Sequence, residues 1–265
     1  MNITPMQSSR LSHGHTELIH TIRHCGLTSG LQLCLDAGDA LSYTSGQSWL
    51  DRSGNGYDFF VGATSSSEGS DPTFNGTAGR RSSGEYWSFD GGDYFKYNSA
   101  NETWMENIHK NNAKFTMACW LYIGSTATQS GFAGDYQTGP IGFIWQHTNT
   151  GGIQFLVVNT AFVMQVNGST ATAGVWQFHA VSVDEAVGAN GGFLLLNLTK
   201  VSFTSTYASP SSSAATATFE IGSVGGAREP LTNTSRMGMF AAWTEALTET
   251  QLTAFYMATR GRFGV

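Results

Sequence analysis

Between positions 35 and 57 the chain reads Leu35-Asp36-Ala37-Gly38-Asp39-Ala40-Leu41-Ser42-Tyr43, then Ser48-Trp49-Leu50-Asp51-Arg52-Ser53-Gly54-Asn55-Gly56-Tyr57, a dense run of turn chemistry around a few apolar anchors. Gly tolerates positive φ, and Asn, Asp and Ser bond their own backbone, so Ser53-Gly54-Asn55-Gly56 predicts a tight turn. The alternation of Tyr57, Phe59 and Val61 behind it predicts a strand leaving that turn. A chain built this way folds as short strands joined by turns.

The remaining sequence keeps to that pattern. Glycine supplies 32 of the 265 residues, 12% are charged and 12% aromatic, which suits strands and turns better than helices with charged outer faces. Strand-like runs fall at 31–35, 57–61, 86–89, 94–97, 115–123, 141–146, 153–158, 162–166, 177–184, 193–198, 201–204, 216–221 and 236–243. Within 115–122, Phe115, Met117, Cys119 and Leu121 alternate with Thr116, Ala118, Trp120 and Tyr122, so one face packs inward and the other is free for a ligand or partner. Such strands suit two antiparallel sheets packed face to face. A helix is expected over 249–259, with Thr248 as its cap and Leu252, Phe255, Tyr256 and Thr259 as its apolar stripe. The length admits two domains, but one large sandwich commonly reaches it, and the Ser-rich run 209–215 reads as a surface loop.

The opening packet resembles the start of laminin-G-like (concanavalin A-like) domains of the kind found in bacteriophage structural proteins, and the resemblance continues in order. Tyr86-Trp87-Ser88-Phe89-Asp90-Gly91-Gly92-Asp93-Tyr94-Phe95 follows Pro72-Thr73-Phe74-Asn75 at the spacing such domains use. Phe115-Thr116-Met117-Ala118-Cys119-Trp120-Leu121, Trp176-Gln177-Phe178-His179-Ala180-Val181 and Phe219-Glu220-Ile221-Gly222 match later strands. Gly238-Met239-Phe240-Ala241-Ala242-Trp243 through Leu252, with Arg260-Gly261-Arg262-Phe263-Gly264, matches the closing strand and helix. The similarity spans 31–265. It implies an all-β, two-sheet antiparallel jelly-roll sandwich with a short C-terminal helix. Ahead of it, residues 1–30 are poor in strand signal and carry His13, His15, His20 and His24, four of the seven histidines, and read as a distinct N-terminal docking arm. Domains of this kind often hold Ca2+ in loop oxygens, and Asp90, Asp93, Asp36 and Asp39 lie in the matching turns. Against that, Asp in a Gly-rich turn usually bonds its own backbone, and Ser235-Arg236 stands where the family often has an acidic residue. The resemblance thus admits Ca2+, while no cofactor is expected.

Charge and motif content narrow the function. A net charge of −6 without a basic run gives no basis for gripping a phosphate backbone, and it disfavours acidic carbohydrate and acidic lipid as well. The first residues lack a secretory signal and no stretch is apolar for a membrane span, so a soluble, cytoplasmically made chain is expected. Cys25, Cys34 and Cys119 are odd in number and scattered, which indicates no disulfide framework. No strand carries the alternating carboxylates of sandwich glucanases, and there is no G-x-S-x-G, H-E-x-x-H or C-x-x-C. The expectation is a chain that is not an enzyme.

Exposed aromatics stack on sugar rings, and Trp104, in the polar stretch 98–112, and Trp49 are the carbohydrate-binding candidates, whereas Trp120, Trp176 and Trp243 read as core. In the arm, Leu18, Ile19, His20, Ile22 and His24 form one face of a short helix and are the expected interface with a neighbour, while His20, His24 and Cys25 have the spacing of a metal pair. The leading functional expectation is a non-enzymatic structural component of a phage virion, a capsid decoration or tail-associated protein displaying a lectin-like adhesive module. Its partners would be other virion proteins and further copies of itself. The alternative is a carbohydrate-binding module for host-surface glycan.

Overall fold

The computed structural model describes residues 17–79, 84–137, 139 and 141–265. In chain order its strands are β1 (Leu31–Asp36), β2 (Ser48–Trp49), β3 (Phe59–Val61), β4 (Thr73–Asn75), β5 (Tyr86–Ser88), β6 (Phe95–Tyr97), β7 (Lys114–Tyr122), β8 (Ser130–Gly134), β9 (Ile141–His147), β10 (Gly152–Asn159), β11 (Ala161–Thr170), β12 (Trp176–Asp184), β13 (Gly192–Leu196), β14 (Thr199–Ser202), β15 (Glu220–Ile221) and β16 (Arg236–Trp243). The helices are α1 (Leu18–His24), α2 (Thr103–Glu106) and α3 (Glu249–Thr259).

These strands form two antiparallel sheets of eight. The first runs β14-β13-β12-β7-β16-β5-β4, with β1 also paired to β16; the second runs β11-β10-β9-β8-β15-β6-β3-β2. The all-β two-sheet sandwich expected from the sequence is the fold. Between the sheets lies a core rich in aromatic rings, including Trp49, Trp87, Trp145, Phe59, Phe95, Phe143, Phe155 and Phe219, all excluded from solvent. The turn at 53–56 is tied back onto β1. Asp51 accepts the backbone N–H groups of Cys34, Ser53 and Gly56, and the Asn55 amide donates to the Leu31 and Gln32 carbonyls. Gly54 and Gly56 have φ of 104° and 78°, which explains why this turn is written in glycine.

Three strands escaped the sequence pattern. β2 and β4 are only two and three residues long, and β8, Ser-Gly-Phe-Ala-Gly, has almost no strand propensity. The small residues of β8 serve packing: a Cβ at Gly131 or Gly134 would strike the backbone of Val224, which crosses closely there.

A second apolar layer covers the outer face of the first sheet. α3 begins with a capping box between Thr248 and Gln251 and buries Leu252, Phe255 and Tyr256. Trp120 stacks against Tyr256 and Phe263, with interplanar angles of 17° and 16°, and its indole donates to Thr259 Oγ1 at 2.9 Å. α1 lies in the same layer, and here the reading of 1–30 as a separate docking arm is corrected for its described part, 17–30. Leu18, Ile19 and Ile22 are at most 3% exposed, packed with Leu27, Trp243 and Phe255 of their own chain, so they are not a free interface. The Trp243 indole donates to the Leu27 carbonyl at 2.7 Å and the Leu18 N–H donates to Asp36 at 3.0 Å. Only His20 and His24 of the expected interface set face solvent. The reason is that the helix's apolar stripe matches the outer face of β16 and α3, which its own sequence does not reveal. Positions 1–16 of the arm lie outside the described residues.

Candidate functional site

The helical layer leaves part of the first sheet's outer face open. Register places Trp176, Tyr122, Arg236, Ser88 and Thr73 in one row across β12, β7, β16, β5 and β4. Beyond the edge of the helical layer, Arg236, Ser88 and Thr73 of this row, with Asn75, Tyr86 and the loops that come after β5 and before β16, line an open cleft of about 300 Å3, and Tyr122 adjoins it through Arg236. That volume is at the low end of small-molecule sites and fits a single sugar residue or a disaccharide.

One end of the cleft is aromatic and cationic. The Arg236 guanidinium carbon lies 4.9 Å from the Tyr86 ring centre and 4.6 Å from that of Tyr122, and the two rings flank Trp176 at 6.1 and 6.0 Å. All four side chains are half-buried, and Trp176 is braced from behind by Phe263 at 4.9 Å. Nearby, the Asn75 amide donates to Ser88 Oγ at 2.9 Å. Rings, an amide and a fixed cation on one surface are what a polyhydroxylated ring needs: an apolar face to lie on and polar groups at its rim.

The other end is acidic. Asp93 accepts the Asp90 N–H at 2.8 Å, and Asp90 accepts the Gly92 N–H at 2.9 Å, with Asn233 and Thr234 opposite. Burial pushes the Asp93 carboxyl up to about 7, and the Asp90 charge beside it adds to the rise, although the Asp90 N–H works the other way. Asp90 itself is exposed. The cleft thus has a guanidinium at one end and a carboxyl pair at the other.

The residues singled out from sequence fall in several places. Asp90 and Asp93 line the cleft, but Asp36 is fully buried elsewhere, ion-paired with Arg262 and accepting the Leu18 and Gly38 N–H groups. The three therefore do not assemble as a Ca2+ cage, and among the described residues no three His, Cys, Asp or Glu side chains group as metal ligands. Asp39 is buried against Arg52 at 2.9 Å. His20 pairs with Glu17 at 3.2 Å instead of joining His24 and Cys25. Trp49 and Trp104 are corrected as sugar platforms: Trp49 is wholly buried against Phe95 and Trp87, and Trp104 is 7% exposed, packed on Tyr57 and Phe219. The rings that do reach the surface beside a cleft are Tyr86, Tyr122 and Trp176. None of the three rings was singled out as a ligand contact from the sequence; Arg236 stood out only as a departure from the family pattern.

No family model matches the sequence, and no curated protein matches it. Solved structures do match the fold. A sialidase of Trypanosoma rangeli, in complex with 2,3-difluorosialic acid, aligns over 88% of this chain and 33% of its own at a TM-score of 0.57 and 11% identity. Domain 4 of AbnA, a GH43 extracellular arabinanase from Geobacillus stearothermophilus, in complex with arabinotriose, aligns over 86% of this chain and 98% of its own, with a TM-score of 0.56 and 16% identity. An HCR/D F1240A mutant aligns over 87% of this chain and 52% of its own, with a TM-score of 0.59 and 12% identity. The chain spans about a third of the sialidase's length. At these identities the likeness shows the fold, a β-sandwich coarsely of the concanavalin A-like type. It also corrects one expectation. Sialidases and an arabinanase are enzymes, so this sandwich has enzyme relatives in fold, and the absence of a carboxylate strand no longer sets the chain apart from catalysis.

Proposed function

We propose that the chain is a carbohydrate-binding module and that its site is the cleft between Tyr86, Arg236 and Asp93. The observation that carries this reading is the row of partly exposed rings, Tyr86, Tyr122 and Trp176, standing beside Asn75, Ser88 and Asp90 on the part of the first sheet that the helices leave open. The fold likeness to an arabinanase domain bound to arabinotriose supports the same class of ligand by analogy.

A finer reading rests on the family resemblance alone: the module is displayed on a phage virion, as capsid decoration or a tail-associated protein, among other virion proteins or copies of itself, and reads a host-surface glycan. Its attachment would not use Leu18, Ile19 and Ile22, which their own chain covers.

A glycan array with the purified chain, followed by calorimetric titration of the hits, tests the site. Tyr86→Ala and Asn75→Ala are expected to abolish or strongly weaken binding without moving the melting temperature by more than a few degrees. Failure to bind any glycan, or binding indifferent to both changes, refutes it. For the virion reading, labelling of purified source particles by an antibody to the chain is expected; particles without the chain refute it.

A further inference from the structure

Arg236 differs from the other arginines that reach into the structure. Arg52 is paired with Asp39 and Arg262 with Asp36, whereas no carboxylate among the described residues pairs with Arg236. It is instead held by two tyrosine rings contributed by different strands, Tyr86 from β5 and Tyr122 from β7, and it lines the cleft. A guanidinium between two rings has its position fixed before a ligand arrives and keeps its N–H fork for hydrogen bonding. That fork fits the two oxygens of a carboxylate in bidentate fashion, and a planar, delocalised cation gives up its water more readily than an ammonium.

The opposite end of the cleft has complementary needs. Asp90 accepts hydrogen bonds and Asn233 both gives and accepts them, so this end suits the hydroxyls of a sugar and is hostile to a second anionic group. We infer that the cleft selects a sugar bearing a carboxylate, a uronic or sialic acid, with the carboxylate on Arg236 and the hydroxyl-bearing end toward Asp90 and Asn233. This rests on the glycan-binding reading of the same cleft. It also reverses what net charge implies: a charge of −6 repels an anion from a distance, but screening confines that repulsion to roughly 8 Å at physiological salt, and the contact is decided by the group at the site.

The test needs no mutation at its first step. Wild-type chain is titrated with polygalacturonate, alginate and sialyllactose and with the carboxyl-reduced form of each. At least one acidic glycan is expected to bind roughly tenfold to a hundredfold more tightly than its reduced, neutral counterpart, the range of a charged hydrogen-bonded contact. Which of the three responds separates uronic from sialic acid. Arg236→Gln should erase that preference, so that acidic and reduced forms bind alike, and Arg236→Lys should restore only part of it, because an ammonium lacks the fork. Equal binding of acidic and reduced forms overturns the inference and leaves the glycan site standing, as does a preference that survives Arg236→Gln. Binding of neither form of any of the three overturns the inference, and the glycan site itself falls only if the array also returns no ligand.

Discussion

His179 allows the pH dependence of this fold to be predicted from one side chain. It sits on the inner face of β12, wholly buried, with its ring 4.8 Å from that of Phe132 and neither nitrogen hydrogen-bonded. Burial drives its pKa down from 6.5 to about 3, and the nearby His147 adds to the fall. The unfolded chain therefore takes up a proton at this position before the folded one does. Stability contributed by the neutral ring is present above pH 6.5 and is lost as acid is added, until the folded pKa is reached. Integrating that difference gives a loss of about 2 kcal/mol between about pH 7 and about pH 5. Replacing His179 with leucine, of similar volume, removes both the proton uptake and the two unmet nitrogens, whose burial costs about 1–3 kcal/mol. His179→Leu should thus be at least as stable as wild type at neutral pH, and its advantage should grow by about 2 kcal/mol by about pH 5. Urea unfolding of both proteins across this range provides the measurement, and taking the difference cancels the other titrating groups. A stability difference that stays flat with pH would refute the argument that this ring is buried neutral.

Three further outcomes are expected. Gly56→Val should cost about 1–3 kcal/mol through backbone strain alone, since open space surrounds the position and its φ is 78°; an unchanged melting temperature would show that the turn relaxes. Ile22→Ala should cost about 2–4 kcal/mol and deletion of residues 2–28 should abolish cooperative unfolding, because both open the layer over Trp243 and Phe255; a truncated chain that melts normally would return α1 to the role of a detachable arm. Asp93→Asn keeps the acceptor for the Asp90 N–H but cannot ionise, so it should stabilise the fold more at pH 8 than at pH 5, because the burden of the raised carboxyl builds from the unfolded pKa of 3.8 and is complete only above about 7. Equal effects at both pH values would contradict a buried, proton-retaining Asp93.

How much was legible depended on how local the determining interaction is. The turn at Gly54 and Gly56 and the Thr248 cap of α3 are encoded within a few residues, and each is found where the sequence put it. The alternation of β7 gave the strand but not its burial: the face expected to be free is covered by α1 and α3 from Thr116 to Trp120. α1 was visible as a helix face but not as core, because the groups that cover it, Trp243 and Phe255, lie more than two hundred residues away. Trp104 misled for the same reason: its neighbours in sequence are polar, while the rings that enclose it, Tyr57 and Phe219, come from distant turns of the chain. The cleft was least legible. Tyr86, Tyr122 and Arg236 belong to three strands, and only the register between them, which no single segment carries, brings the rings to the guanidinium.

The first sheet is covered on both faces at its centre and on one face elsewhere, and that asymmetry should govern how the molecule breathes. In β7 every residue from Phe115 to Leu121 is buried, with the aromatic core on one side and α1 and α3 on the other. Amides there can exchange with solvent deuterium only when the whole domain opens, so they should report the global unfolding free energy. β4 and β5, which line the cleft at the sheet's edge without that second cover, should exchange through smaller excursions. A ligand seated in the cleft would then slow exchange in β5 while leaving β7 unaltered, and the protein would offer its own internal clock against which occupancy of the site can be timed.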